Sequence, residues 1–471
     1  MTQHDTNMPD DQQALSQPGR SYAQSLDYLY GRINYERLSK PSPQHPMKLA
    51  RMQALLAEMG DPQASLKIVH IGGTKGKGST ASMVAAIATQ AGLRCGLYTS
   101  PHLESLEERF RVDGEPATQQ QMVSLIDCVR TAADAIRHRG EGDATFFELT
   151  TAVAIEHFRR SGCEVAVLEV GLGGRLDSTN VCSPEVTAIT SIGLDHQNLL
   201  GDTVQQIATE KAGIIKPGVP VVSGVLNPDA AEVIRRIAAQ RQAPLLQLDR
   251  DFSVRRDPPS ASAALACFDF QPSPTAPLPL RQHAACPLAM AGLHQAHNAA
   301  VALAIADCWN LNAPESLQFP ESACRQALAT VSVPGRIEFF PGKPIVILDT
   351  AHNRDSVEAL AAVLAERFES QNVVAVFGTS HDKDVREMLP ILARNVKQIV
   401  LTRYRTNPRW YPPQDLAAIA SEVVGQSWEV VENSHDALQV ARHRAGDAGV
   451  VVICGSFFLA AELRRSLVDN D

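Results

Sequence analysis

The ten residues Ile71-Gly72-Gly73-Thr74-Lys75-Gly76-Lys77-Gly78-Ser79-Thr80 contain four glycines and two lysines. They follow an apolar run, Lys67 to Ile71, and lead into a helical pattern from Ser79 to Gly92. A strand, a glycine turn and a helix in that order constrain the fold more than any other stretch. Glycine backbone can wrap closely enough for several N–H groups to face phosphate oxygens, and the helix start adds favourable dipole charge. Lys77 is placed to neutralise charge on a transferring phosphoryl group. The expected nucleotide contacts here are Gly73, Thr74, Lys75, Gly76, Lys77, Gly78 and Ser79. The loop departs from the strict Walker form, because position 71 is Ile rather than Gly and Gly78 follows the lysine.

Strand-like and helix-like runs alternate through the chain, the pattern of a parallel α/β sheet. Further strands are expected at Arg94–Tyr98, Val165–Val170, Val186–Ile192 and Val219–Ser223, with helices near Phe147–Arg160 and Val204–Ile214. The rhythm breaks between Asp257 and Pro287, where Pro, Ser and Ala dominate. A surface excursion is expected there, with short antiparallel strands such as Ala264–Phe270. A helix near Ala299–Trp309 and a poorly patterned stretch follow. The rhythm restarts with strands at Ile345–Leu348, Val373–Phe377, Gln398–Leu401, Trp428–Val431 and Val450–Cys454. The fold class is therefore α/β. A P-loop ATPase-like parallel-sheet domain (21–332) precedes a smaller Rossmann-like α/β domain (333–471), and Val333-Pro334-Gly335-Arg336 connects them.

At 471 residues the chain exceeds what one hydrophobic core usually organises. A net charge of -9 and 5% aromatic content disfavour a nucleic-acid partner, since phosphate backbones attract basic, stacking surfaces. Small-molecule substrates are expected, on a monomer. The nine cysteines include no Cys-x-x-Cys pair and are expected to be free thiols in a reducing cytoplasm. No apolar run approaches the roughly 20 residues of a membrane span. Residues 1–20 are polar, without an apolar signal core, and are expected to form a disordered lead-in.

The chain resembles the folylpolyglutamate synthase and dihydrofolate synthase family, relatives of the Mur ligases. The resemblance runs from Asp27-Tyr28-Leu29-Tyr30-Gly31-Arg32-Ile33-Asn34-Tyr35-Glu36-Arg37 through the glycine loop, Thr99 to Leu103, and Thr145-Phe146-Phe147-Glu148. It is strongest over Leu168 to Asp177 and Ser191-Ile192-Gly193-Leu194-Asp195-His196, and continues through Glu210 to Gly218. Later matches are His294-Gln295 with Asn298, Pro334-Gly335-Arg336, Asp349 with Ala351-His352-Asn353, Asp382-Lys383-Asp384 and Gly455-Ser456. Three motifs depart from the family pattern. Lys75 stands where Asn is usual, Arg354 replaces a proline, and Phe457-Phe458 replaces Leu-Tyr.

The resemblance implies ATP as substrate, with two magnesium ions. Ser100, Glu169 and His196, at or near strand ends, would hold metal. Lys211 matches a carbamoylated lysine that serves the second ion. Asn298, Arg336 and Asp349 would contact the nucleotide, and His352 would lie near the phosphates or the incoming glutamate. Thr145, Leu176, Asp177 and Ser178 match part of a pterin pocket, and Ser456 is placed to bind glutamate. Lys77, Lys211 and His352 are the catalytic candidates.

A carboxylate is a poor acylating agent because its leaving group would be oxide. Phosphoryl transfer from ATP makes an acyl phosphate, which the glutamate amine can attack. The expected activity adds glutamate to dihydropteroate and to the γ-carboxylate of folates. Alternatives are folate polyglutamylation alone, a Mur-type amino-acid ligase, or a nucleotide-binding regulator without catalysis.

Overall fold

The computed structural model describes residues 20–34, 49–256 and 265–468. The lead-in through position 19, the end of the first family motif (Tyr35, Glu36, Arg37) and part of the Pro/Ser/Ala stretch lie outside the described residues.

Eight strands form the larger sheet, in the order Glu115–Pro116, Phe110–Val112, Cys95–Tyr98, Val165–Glu169, Ile68–Gly72, Val186–Ile189, Val221–Ser223 and Leu245–Gln247. From Cys95–Tyr98 onward the pairings are parallel, and an antiparallel pair closes the other edge. Both faces are covered, which explains why the central strands are apolar throughout rather than alternating. Val69, Ile71, Val165 and Val167 pack toward the helices Lys77–Gln90 and Leu293–Asn310. Ile68, Ala166 and Leu168 pack toward the helices Gln119–His138 and Phe146–Arg160 on the other face. The strand Ile68–Gly72 lies between Val165–Glu169 and Val186–Ile189, so the chain crosses over it between those two. The segments leaving the carboxyl ends of these three strands open a crevice, where open α/β sheets bind ligands.

Several elements differ from the sequence expectation. The strand from Val186 stops at Ile189 rather than Ile192, because Thr190 and Ser191 turn their hydroxyls to the carbonyl of Lys75, at 2.6 and 3.0 Å. The antiparallel strand expected at Ala264–Phe270 is found at Ala266–Pro272, but the described residues from Leu265 onward are not a surface excursion. Phe252–Arg256, Ala266–Pro272 and His283–Leu288 form an antiparallel sheet whose Phe252, Phe268, Phe270, Cys286 and Leu288 enter the main core. The helix expected at Ala299 begins at Leu293, and its Ala-rich surface is buried nearly all round. The stretch without clear pattern contains a further helix, Glu321–Thr330, whose Ala323, Cys324, Ala327 and Leu328 are buried.

A second sheet follows, in the order Glu338–Phe340, Ile345–Leu348, Val450–Cys454, Val373–Phe377, Gln398–Arg403 and Glu429–Asn433. All but the first strand pair in parallel. Alternate residues again feed separate cores, Val450, Val452 and Cys454 on one face and Val451 and Ile453 on the other. Two sets of ion pairs join this unit to the first. Arg464 bonds both Glu104 and Glu338, and Arg256 grips Glu366 through both carboxylate oxygens at 2.8 and 2.9 Å. All nine cysteines are free thiols. No helix among the described residues is long and apolar enough to cross a membrane.

Candidate active site

The glycine loop leaves Gly72 with Gly73 at φ 144° and Gly76 at φ 81°. Both conformations disfavour a side chain, and space forbids one as well. A Cβ on Gly73 would lie 2.1 Å from Thr190 Oγ1, and one on Gly76 would lie 2.3 Å from Asn298 Oδ1. The loop is anchored from one side. Thr74 N–H donates to Ser191 O at 2.7 Å and Lys75 N–H to Ser191 Oγ at 2.9 Å. Gly76 then caps the helix that begins at Lys77. The Lys77 ammonium folds back to Thr74 O at 3.4 Å, over the loop it serves. Lys75 points toward Asp195, 3.7 Å away, and burial lowers its pKa while Asp195 opposes that shift.

Glu169 is the last residue of its strand and is buried. Its Oε2 accepts the Ser100 N–H at 3.0 Å, and a Cβ on Gly78 would stand 3.4 Å from that oxygen. Burial holds the carboxyl above its ordinary range, with Lys77 pulling the other way. His196 is seven residues beyond its strand, in left-handed backbone (φ 50°) ahead of the single turn Gln197–Leu200. Its ring is half exposed, 3.8 Å from Asp195. Among the described residues no three His, Cys, Asp or Glu side chains converge as a ready metal cage.

The second sheet contributes the facing wall. Asp349 is buried and accepts Ile337 N–H at 2.8 Å and Ala351 N–H at 2.7 Å. Burial pushes its pKa up to about 6 against the pull of Arg336. The Arg336 guanidinium lies over the Phe457 ring and donates to Thr350 Oγ1 at 2.6 Å. His352 Nδ1 is 2.7 Å from Thr350 O. A carbonyl only accepts, so this bond puts the proton on Nδ1 and leaves Nε2 as the acceptor. Burial drops the His352 pKa to about 4, so the ring is neutral near pH 7.

One cavity of about 1220 Å³ connects these groups. Of the residues expected from sequence, Thr74, Lys75, Gly76, Lys77, Gly78, Ser79, Ser100, Thr145, Glu169, Leu176, Asp177, Ser178, His196, Asn298, Arg336, Asp349, His352 and Ser456 line it. Gly73 and Lys211 stand behind the wall, with Lys211 Nζ donating to Gly73 O at 2.8 Å. Burial, then the nearby Lys77 charge, lowers the Lys211 pKa to about 7. Asp177 is a scaffold within its loop: its carboxylate accepts from Leu172 N–H, Thr179 N–H and the Thr179 hydroxyl. Thr145 caps the helix Phe146–Arg160, and its hydroxyl bonds Glu148, which Arg51 holds from behind at 2.8 Å.

Sequence reasoning assigned no role to Tyr30, Phe147, Arg51 or Arg409, which also line the cavity. Tyr30 stacks on Phe146, and a Cβ on Gly171 would meet the Phe147 ring at 2.3 Å. Tyr30 and Phe147 lie inside stretches that carry the family resemblance, a signal that could have singled them out. Arg51 and Arg409 had no such signal.

Residues 71–306 match the Mur ligase middle domain, and residues 335–457 match the Mur ligase, glutamate ligase domain. The dihydrofolate synthase/folylpolyglutamate synthase of Bacillus subtilis is 33% identical over 448 residues, 95% of this chain and 99% of that protein. The chain belongs to the dihydrofolate synthase/folylpolyglutamate synthase family. The Escherichia coli dihydrofolate synthase/folylpolyglutamate synthase is 32% identical over 88% of this chain and 90% of its own. Among solved structures, the folylpolyglutamate synthase of Thermotoga maritima superposes with a TM-score of 0.81 at 31% identity, covering 96% of this chain and 97% of that one. The Mycobacterium tuberculosis folylpolyglutamate synthase, solved with ADP and AMPPCP, gives 0.82 at 32% identity, covering 95% and 98%. As a member of the dihydrofolate synthase/folylpolyglutamate synthase family, the chain is an ATP-dependent acid–amino-acid ligase. Its two-sheet α/β fold is that of the folylpolyglutamate synthase structures.

Proposed function

We propose that this ligase joins L-glutamate to dihydropteroate and to the γ-carboxylate of folates, each through an acyl phosphate made from ATP. The observation that carries this reading is the shared cavity. It holds the phosphate loop, the Arg336–Asp349–His352 wall of the second sheet, and an aromatic end formed by Tyr30, Phe146 and Phe147. In this reading residues 21–332 bind ATP and residues 333–471 bring the amino acid, so the site is complete only between them.

The nucleotide phosphates lie along Gly73–Ser79, with Lys77 against the transferring group and Arg336 clamping from the other side. Asn298 and Asp349 hold the rest of the nucleotide. The acid substrate enters at the aromatic end, where Thr145, Leu176, Asp177 and Ser178 shape a slot for a flat ring. Its carboxylate oxygen takes the γ-phosphoryl group, releasing ADP. The glutamate amine then attacks the acyl carbon and phosphate departs. His352 faces this point as a neutral imidazole with Nε2 able to accept a hydrogen bond from the amine. Ser456 binds the incoming amino acid. Positioning and charge neutralisation account for the rate, with no covalent enzyme intermediate.

The donors fit magnesium, which prefers hard oxygen ligands and keeps several waters. Glu169 presents a buried carboxylate held by the Ser100 N–H and facing the first turn of the phosphate-loop helix. Glu169 and Ser100 would hold one ion; His196 and a carbamoylated Lys211 would serve a second. When bound, magnesium neutralises charge on phosphate oxygens. A buried amine with a pKa near 7 is suited to carbamoylation, because the neutral form attacks CO₂.

The test is a product assay with ATP and glutamate plus either dihydropteroate or tetrahydrofolate. Glutamylated product from both acids supports the reading. Product from tetrahydrofolate alone would reduce it to polyglutamylation, and ATP turnover indifferent to either acid would overturn it.

A further inference from the structure

Seven lysine or arginine side chains line the cavity: Arg51, Lys75, Lys77, Arg109, Arg336, Lys383 and Arg409. Six have polar protein partners for their charged ends. Arg51 bonds Glu148, Lys75 pairs with Asp195, Lys77 reaches Thr74 O, Arg109 donates to His102, Arg336 donates to Thr350, and Lys383 pairs with Asp382. The Arg409 guanidinium has neither an ion pair nor a hydrogen-bond acceptor among the described residues. It lies over the Phe458 ring, 5.7 Å from the centroid, half-buried at the cavity wall.

Its position is fixed by the backbone. His381 N–H donates to Arg409 O at 3.0 Å and Tyr411 N–H to Thr379 O at 2.8 Å, around a bridge between Ser380 and Trp410. Arg409 N–H donates to Asn407 Oδ1 at 2.9 Å. The loop is thus pinned to the end of the strand Val373–Phe377. Beside it, the buried Ser380 and Tyr404 hydroxyls meet at 2.6 Å, and the Tyr404 ring packs at a tilt against the same Phe458 ring. Tyr404 also bonds Ser456, which ties this corner to the residue assigned to the amino acid. A guanidinium on a pinned backbone, without a hydrogen-bond acceptor among the described residues and with only the through-space pull of Asp382, can take an anion from outside. Its planar fork matches a carboxylate, which accepts two parallel N–H bonds.

We propose that Arg409 binds the side-chain carboxylate of the incoming amino acid and so selects an acidic amino acid over neutral ones. This rests on the proposed ligase reading and deepens it by naming the residue that sets acceptor specificity. The amine must reach the acyl phosphate near Lys77 and His352, so the α-carboxylate, one carbon away, stays close to that point. The side-chain carboxylate extends farther into the second unit, toward Arg409.

The experiment compares full-length wild type, Arg409→Ala and Arg409→Lys with glutamate and with norvaline, which has an aliphatic side chain in place of the acidic one. For Arg409→Ala, KM for glutamate should rise about 30-fold or more, the scale of a charge-assisted bidentate contact, while KM for ATP stays within about twofold. Arg409→Lys should fall between the two. The penalty with norvaline should be small, so the preference for glutamate collapses. An equal penalty for both amino acids, or an unchanged KM for glutamate, would overturn the role. Trapping the acyl phosphate of wild type with hydroxylamine tests the underlying reading separately: lack of hydroxamate there would refute the ligase chemistry, whatever Arg409 does.

Discussion

The Nζ of Lys211 lies 2.8 Å from the carbonyl oxygen of Gly73, across 138 positions of sequence, and ties the helix Val204–Lys211 to the underside of the phosphate loop. The buried amine therefore feels the loop directly. Folding lowers its pKa from an ordinary 10.5 to about 7, so the folded chain binds fewer protons than the unfolded one over that window. The corresponding stability is present above pH 10.5 and lost as pH falls through about 7. Carbamoylation needs the neutral amine and should fall in the same direction. We expect intact-mass or crystallographic detection of a carbamate on Lys211 at pH 8 with bicarbonate, diminishing below about pH 7. Lys211→Ala should lose ligation, with partial recovery in short carboxylic acids. A bare ammonium in fully active enzyme would refute the carbamate.

Lys77 is the loop lysine nearest the expected site of transfer. Lys77→Ala should cut product formation about a hundredfold or more, as removal of a preorganised charge does. Its only protein bond is a 3.4 Å contact to Thr74 O among the described residues, so the thermal midpoint should barely move. Parallel turnover and unfolding measurements check both halves of this expectation.

Gly76 cannot carry a side chain without pressing on Asn298. Gly76→Ala adds a left-handed backbone penalty of about 1 kcal/mol and forces Asn298 aside. ATP affinity should drop about tenfold or more, with the loss visible in nucleotide titration. Wild-type ATP binding in this variant would mean that Asn298 does not contact the nucleotide.

Arg464 joins Glu104 beside the Ser100–Leu103 segment to Glu338 at the start of the second sheet, with all three side chains at most 22% exposed. Arg464→Ala leaves Glu338 without its cation and Glu104 with only the exposed Arg465, and should destabilise the chain by about 1–3 kcal/mol. Denaturant unfolding reads the cost. Re-pairing the site with Arg464→Lys should recover part of it.

The strands, the phosphate turn and the family motifs were legible because they depend on local rules. An apolar run of four or five residues followed by glycine marks a buried parallel strand, and Gly76 at φ 81° is a requirement the residue itself announces. In the sheet at Phe252–Leu288 the antiparallel strand near Ala264–Phe270 was legible, but its entry into the core was not. Its Pro- and Ser-rich flanks resemble surface loop, while only alternate residues such as Phe268 and Phe270 reach the core. Helix Glu321–Thr330 was hidden similarly, with small residues forming its buried face.

The sequence by itself determined the α/β class, the strand–glycine–helix phosphate loop and the family, through which Lys77, Glu169, Arg336, Asp349 and His352 became candidates. Only the tertiary structure decided which of these share a cavity, that Lys211 sits behind the loop, that Asp177 spends its oxygens on its own turn, and that the Arg409 guanidinium has no hydrogen-bond acceptor among the described residues. The physical reason is range. Backbone conformation and hydrophobic period are set by neighbours within a few positions, whereas burial, ion pairing and the resulting pKa shifts arise between groups hundreds of residues apart.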